Sequence, residues 1–164
     1  MEIIFSSFNL SNNNPVGCYF YDTNGTQRFR VVNETFYKKV DGCIIVYDIT
    51  NQKSFDEIEN YFIPTIKENC VKNIPTFLLG NKSDLKYMRK ISVNQGEQLA
   101  LKYNFIFRET STVENSNIND IFKTIIEQTY YDCKDREKND NNSITLNHKY
   151  NRKLKKHKSG CCNK

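Results

Sequence analysis

Residues 76–85, Thr76-Phe-Leu-Leu-Gly80-Asn81-Lys82-Ser83-Asp84-Leu85, set an amide, a cation and a carboxylate side by side. They follow the apolar run Phe77, Leu78, Leu79 without a spacer. A continuous apolar run closed by turn residues predicts a strand covered on both faces, and such strands belong to parallel sheets. Open parallel sheets bind ligands just past the carboxyl ends of their strands. There, a fixed carboxylate (Asp84) accepting two parallel N–H bonds can select the purine edge that carries a ring N–H beside an exocyclic amine, which is guanine. Taken alone, a polar turn after a strand is equally a plain loop.

Other strand-like runs must position this turn, and two of them also end in polar residues. Cys18–Tyr21 leads into Asp22-Thr23-Asn24-Gly25-Thr26-Gln27-Arg28-Phe29-Arg30. Gly42–Tyr47 leads into Asp48-Ile49-Thr50-Asn51-Gln52-Lys53-Ser54-Phe55, and Arg108-Glu109-Thr110-Ser111-Thr112 comes later. In order and spacing these segments resemble the Ras superfamily of small GTPases. The RFR and YDITNQKSF stretches are most similar to its Rab branch. The resemblance extends over about residues 1–130. It implies an α/β fold, a doubly wound and mostly parallel sheet. It also implies nucleotide-binding roles for Asp22, Thr23, Asn24, Gly25 and Thr26 on the γ-phosphate side, with Asp22 as the carboxylate toward Mg²⁺. Asn81, Lys82 and Asp84 would read guanine, and Ser111 and Thr112 would close over the base. The cofactor implied is GTP or GDP with Mg²⁺, and the partners implied are traffic effectors.

The departures from that pattern matter as much. None of the six glycines is followed by lysine, so no G-x-x-x-x-G-K-[ST] phosphate loop occurs in the chain. Against the resemblance, the first strand, phosphate loop, first helix and most of the first switch have no counterpart, at least about 30 residues or one strand–helix unit. The water-orienting glutamine position falls on Thr26, and Gln27 sits one step late. No catalytic residue is therefore assigned, and hydrolysis should be slow or lost. Ser111-Thr112-Val113 stands where the family has Ser-Ala-Lys. The strand without a counterpart would lie between residues 18–21 and 43–48. Either those strands pair directly, or another chain fills the slot, or the fold is marginal.

Along the chain, Glu2–Leu10 and Val16–Tyr21 predict a hairpin around Ser11–Pro15. Ser54 and Glu57 predict a capping box opening a helix with Phe55, Ile58, Phe62, Ile66 and Cys70 inward, kinked or split at Pro64. Ser92 and Gln95 predict a second box, with Leu99, Ala100 and Tyr103 inward. Ile118, Ile121, Phe122, Ile125, Ile126 and Thr129 mark the clearest helix. The composition predicts a domain over 1–131 and a disordered polybasic tail over 132–164.

Charge separates these parts. Residues 134–164 carry ten Lys/Arg against three Asp/Glu, and 1–133 carry 14 against 16. A slightly acidic body with a basic tail argues against a nucleic-acid-binding domain, whose basic patch lies on the folded surface. No apolar run approaches the ~20 residues of a membrane span, and the first residues lack a secretory signal pattern. Cys18, Cys43 and Cys70 are scattered in apolar surroundings, which favours a reduced, cytoplasmic protein.

The segment 149–158 holds six Lys/Arg and no acid, followed by Ser159-Gly160-Cys161-Cys162-Asn163-Lys164. As a C-a-a-X box this is poor. It is similar to the paired-cysteine ending of Rab proteins, which implies geranylgeranyl lipid on Cys161 and Cys162. That in turn implies a prenylation escort and transferase, and residence on the cytoplasmic face of membranes with a cytosolic pool. A solvated basic tail, a nuclear localisation run or a reactive dithiol are the plainer readings of the same residues. Two functional readings follow: a lipid-anchored GTP-binding switch of membrane traffic with impaired nucleotide handling, or a non-cycling pseudo-GTPase that presents a Rab-like surface to effectors or the prenylation machinery.

Overall fold

The alternation over the first two apolar stretches builds an antiparallel hairpin of β1 (Glu2–Asn9) and β2 (Pro15–Asp22), in register from Glu2–Asp22 to Asn9–Pro15. The computed structural model describes residues 2–23, 36–70 and 74–157, the last of these from 139 onward by backbone alone. Asn13 turns the hairpin with φ 61°, a conformation asparagine tolerates. Its N–H donates to the Leu10 carbonyl at 2.9 Å. Directly opposed residues share a face. Phe8, Val16, Cys18 and Phe20 therefore line one side, where Phe20 meets Phe122 edge-on at 5.5 Å. Glu127 ties the turn down by accepting from the Ser11 amide at 2.6 Å and hydroxyl at 2.5 Å. Ile3, Phe5 and Tyr19 line the other side, which is open; Phe5 is 60% and Tyr19 66% exposed.

A separate parallel sheet has the order β3 (Cys43–Asp48), β4 (Thr76–Asn81), β5 (Ile106–Glu109). β4 is central and buried through Gly80, which is why Phe77–Leu79 reads as an unbroken apolar run. The register Ile45–Leu78–Phe107 defines one face. On it the main core assembles from Ile45, Tyr47 and Leu78 with Ile58, Ile63, Ile66, Leu99 and Ala100. Ile44, Val46, Phe77 and Leu79 take the opposite face. Phe77 and Leu79 are buried there, whereas Val46 is 54% exposed. The hairpin and the parallel sheet do not merge: among the described residues β2 pairs only with β1 and β3 only with β4. Direct pairing of the two strands is thus not the outcome. The α/β class and parallel crossover order are as expected, but the sheet is in two pieces.

The helices follow local rules with one exception. α1 (Gln52–Glu57) runs through a wide π turn (Ile58–Phe62) into α2 (Ile63–Asn69). Pro64 lies in the first turn of α2, because its ring excludes the carbonyl four residues back and the chain absorbs that as the π turn. The expected Ser54–Glu57 capping box does not form. The helix begins earlier, after Asn51, because the Asp48 side chain already turns the strand end by accepting from the Thr50 N–H at 2.8 Å. Ser54 Oγ instead donates to the Asn51 carbonyl at 2.7 Å and accepts from the Asp48 N–H at 3.1 Å. α3 (Val93–Tyr103) has the reciprocal Ser92–Gln95 box and ends on left-handed Asn104. α4 (Ile118–His157) buries Ile121, Ile125 and Ile126. Its backbone is helical to His157, and no Gly or Pro interrupts residues 97–159. Two compact units result, Met1–Thr129 and Tyr130–Lys164.

The junction of α3 with the sheet yields a testable sign. Alanine usually gains about 1 kcal/mol over glycine inside a helix. A Cβ on Gly96, however, would stand 2.5 Å from Phe107 Cε2 and 2.7 Å from Tyr47 Oη. Tyr47 is fully buried and cannot retreat. Overpacking costs about 1–3 kcal/mol, so Gly96→Ala should lower the thermal midpoint. An unchanged or raised midpoint by circular dichroism would refute this packing.

Candidate nucleotide-base site

At the carboxyl end of β4, Lys82 adopts φ 67°, left-handed for a residue with a Cβ, at a cost of about 1–2 kcal/mol. The neighbouring backbone holds it there. Ile49 N–H donates to the Asn81 carbonyl at 3.1 Å, Ser83 N–H to the Thr110 carbonyl at 3.0 Å, and Leu85 N–H to the Lys82 carbonyl at 2.9 Å. The turns after β4 and β5 are thus zipped together. Ser111, fully buried, donates from Oγ to Asp84 Oδ1 at 2.6 Å, and Thr110 Oγ1 donates to Asn81 Oδ1 at 3.3 Å. Asp84 Oδ2 has no partner among the described residues. The structure therefore brings Asn81, Asp84 and Ser111 together; Thr112, one residue on, is exposed and joins none of these bonds.

Lys82 is turned elsewhere. Its Nζ lies 2.5 Å from Asp48 Oδ2, while Asp48 Oδ1 accepts from Thr50 N–H and Oγ1–H at 2.8 and 2.7 Å. Burial pushes the Asp48 carboxyl up, but the hydrogen bonds from Lys82 and Thr50 outweigh it and hold the group below its ordinary value. The sign follows from linkage. This contribution to stability is complete above the unfolded value of ~3.9 and is lost as pH falls through the lower folded value. Lys82 is half exposed, so solvent screens the pair and the contribution is modest.

Asp48, Thr110 and the pair Arg89–Glu109 are site residues that the sequence reading did not single out. Asp48 had a local signal, a threonine two residues on in Asx-turn spacing. Arg89 and Glu109 form a bidentate pair at 2.6 and 2.8 Å across 20 residues, for which no sequence signal exists. Behind them lies Tyr47, whose buried hydroxyl has no partner among the described residues. Burial and the nearby Glu109 carboxylate push its phenol up, with Arg89 acting the other way. Since an unpaired buried polar group costs about 1–3 kcal/mol, Tyr47→Phe should be neutral or stabilising. A fall in the denaturant midpoint would show that the hydroxyl has an unseen partner.

Asp22 and Thr23 stand at the end of β2, in the other sheet. Among the described residues no hydrogen bond or ion pair joins them to Asn81, Lys82 or Asp84. Asn24, Gly25, Thr26 and Gln27 lie outside the described residues. Among the described residues no three His, Cys, Asp or Glu side chains converge to hold a metal, so Asp22 has no visible co-ligand. Cys43 is pushed up to about 12 by burial and then by nearby Cys70, which keeps it a thiol rather than a nucleophile. Asn81 and Asp84 are thus each hydrogen-bonded to the turn after β5, and among the described residues no metal-holding cluster lies beside them.

A polar turn at the carboxyl edge of a parallel sheet, closed by the serine of the next strand's turn, defines the class as a small-GTPase-like α/β domain. The family model described as "Ras family" matches residues 5–131. The chain is 38% identical to the Ras-related protein Rab-8B of Homo sapiens over 123 residues, covering 75% of this chain and 58% of that one. It is 42% identical to Rab-8A of Bos taurus over 105 residues, 64% and 50% of the two chains. It is 33% identical to Rab-11A of Dictyostelium discoideum over 111 residues, 68% and 51% of the two. The chain belongs to the Ras family and is Rab-like. It spans about half the length of the curated relatives it matches.

Proposed function

We propose that this chain is a Rab-type protein of intracellular membrane traffic. It is held to the cytoplasmic face of membranes by lipid on Cys161 and Cys162, and it grips guanine nucleotide weakly. The observation that carries the reading is the division of labour at the base turn. Asp84 and Ser111 stay joined at 2.6 Å, whereas the cation beside them, Lys82, is committed to Asp48 at 2.5 Å. Such a turn can still recognise a base, yet the phosphates and Mg²⁺ need backbone N–H groups of a glycine-rich loop, its lysine and a hydroxyl. The 164 residues contain no such loop. Thr26, at the glutamine position, argues the same way for hydrolysis. The test is the nucleotide content of purified protein, released by heat and resolved by chromatography. Well under one equivalent is expected; one full equivalent of GDP defeats the weak-grip part of the reading.

The alternative, a non-cycling binding module, is favoured by the open side of the hairpin. Ile3, Phe5 and Tyr19 form an apolar face there, with the Phe5 and Tyr19 rings 5.0 Å apart. Exposed contiguous apolar side chains mark partner surfaces. On this reading, traffic effectors or the prenylation escort and transferase dock on the hairpin whatever the nucleotide. Phe5→Ser with Tyr19→Ser should leave the thermal midpoint nearly unchanged but slow prenyl transfer onto the chain at least tenfold in a purified reaction. Equal transfer rates would remove the hairpin from that role.

A further inference from the structure

The turn that follows the base site carries a second feature, unused by the reading above. Leu85, Lys86, Tyr87, Met88 and Lys90 are all exposed around a 3-10 turn at Lys86–Met88. Tyr87 is 106% exposed and Met88 64%, so the ring packs against nothing and the thioether side chain is mostly in solvent. The turn is nonetheless firmly held. Arg89 donates twice to Glu109 and once to the Ile91 carbonyl at 3.0 Å, and Ile91 is completely buried. Lys90 and Ile91 N–H both donate to the Ile49 carbonyl, at 2.8 and 3.0 Å. An apolar tip on a braced base pays little ordering entropy when it binds.

The charges sort simply. Lys82 is paired with Asp48 and Arg89 with Glu109, and Asp84 is hydrogen-bonded to Ser111. Lys86 and Lys90 have no ionic partner among the described residues and flank the tip. We propose that the Leu85–Lys90 turn is a membrane-contacting element that sets Tyr87 and Met88 into the interface of an anionic bilayer while Lys86 and Lys90 meet its headgroup phosphates. Tyrosine favours that interface because its ring is amphipathic. An acidic protein offers the same charge complement, but a stable protein interface needs about 800 Å² per partner. Three projecting side chains supply well under that, and a convex tip suits a deformable surface better than a preformed pocket. This element is separate from Cys161 and Cys162, so it stands or falls independently of lipid anchoring.

The chain contains no tryptophan, and Tyr87→Trp therefore gives one local reporter at a position the fold does not use. The experiment takes the full chain, unlipidated, with vesicles of neutral or phosphatidylserine-containing composition. With anionic vesicles the emission should shift to the blue and be quenched by brominated acyl chains, and with neutral vesicles it should not. Adding Lys86→Gln and Lys90→Gln should raise the vesicle concentration for half-maximal shift roughly thirtyfold, at about 1 kcal/mol per cation and 1.4 kcal/mol per decade. Emission that stays unshifted while the basic tail carries the chain into the vesicle pellet overturns the proposal. So does a shift with soluble polyglutamate but not with vesicles, which would assign the turn to an acidic protein.

Discussion

Replacing Cys161 and Cys162 together by serine should move the chain from the membrane pellet to the supernatant in high-salt buffer, where the unaltered chain remains pelleted. Two forces are in play, and salt separates them. Lys149, Arg152, Lys153, Lys155, Lys156 and Lys158 are attracted to anionic headgroups by about 1 kcal/mol each near the surface. That attraction fades once the Debye length falls to about 3 Å at molar salt. Lipid does not respond to salt. Each buried CH₂ contributes about 0.8 kcal/mol, so on the order of ten per chain give about 8 kcal/mol for each modified cysteine. The unaltered chain should therefore hold through a salt wash, and the double variant should adsorb only at low salt. Either single variant should fall between, since one chain gives marginal, reversible anchoring. Equal retention of wild type and double variant, or an intact mass without added prenyl groups, would end the lipid-anchor reading.

The second large effect concerns nucleotide. A titration of the 164-residue chain with fluorescent GDP should give micromolar or weaker affinity, and no Mg²⁺-dependent GTP hydrolysis should be measurable. Losing one buried charge-assisted contact costs about 2–5 kcal/mol. The glycine-rich backbone N–H cradle, its lysine and the Mg²⁺-bound hydroxyl have no counterpart in these residues. Three such losses amount to at least about 6 kcal/mol, or more than about 10⁴-fold in affinity. What grip remains rests on the base turn, so Asp84→Ala should weaken it further by roughly thirtyfold or more, at about 2 kcal/mol or more for the lost contact. Sub-micromolar affinity that vanishes in Asp84→Ala would show instead that the base turn alone anchors nucleotide tightly here. Ser111→Ala separates support from contact. It frees Asp84 Oδ1 from its 2.6 Å partner, so it should lower stability even where nucleotide plays no part.

Much of this molecule was legible residue by residue. The strands at 2–9, 43–48 and 76–81, the Ser92–Gln95 box and the break at Pro64 depend on side-chain period, capping groups and a missing N–H. All of these act within a few residues of the chain. The Asn81–Asp84 turn and its companion at Ser111 were likewise visible as types in order. The Ser54–Glu57 box failed because a competing local device, the Asp48–Thr50 turn, starts the helix sooner. What only the tertiary structure decided are the pairings across distance. The division into two sheets, the capture of Lys82 by Asp48, the Arg89–Glu109 brace and the exposure of Tyr87 all depend on which strand ends lie side by side. A sequence states that a lysine is present beside a turn. Whether its charge faces a ligand or a neighbouring carboxylate is settled by strand register, because Coulomb energy falls with distance in space and takes no account of distance along the chain.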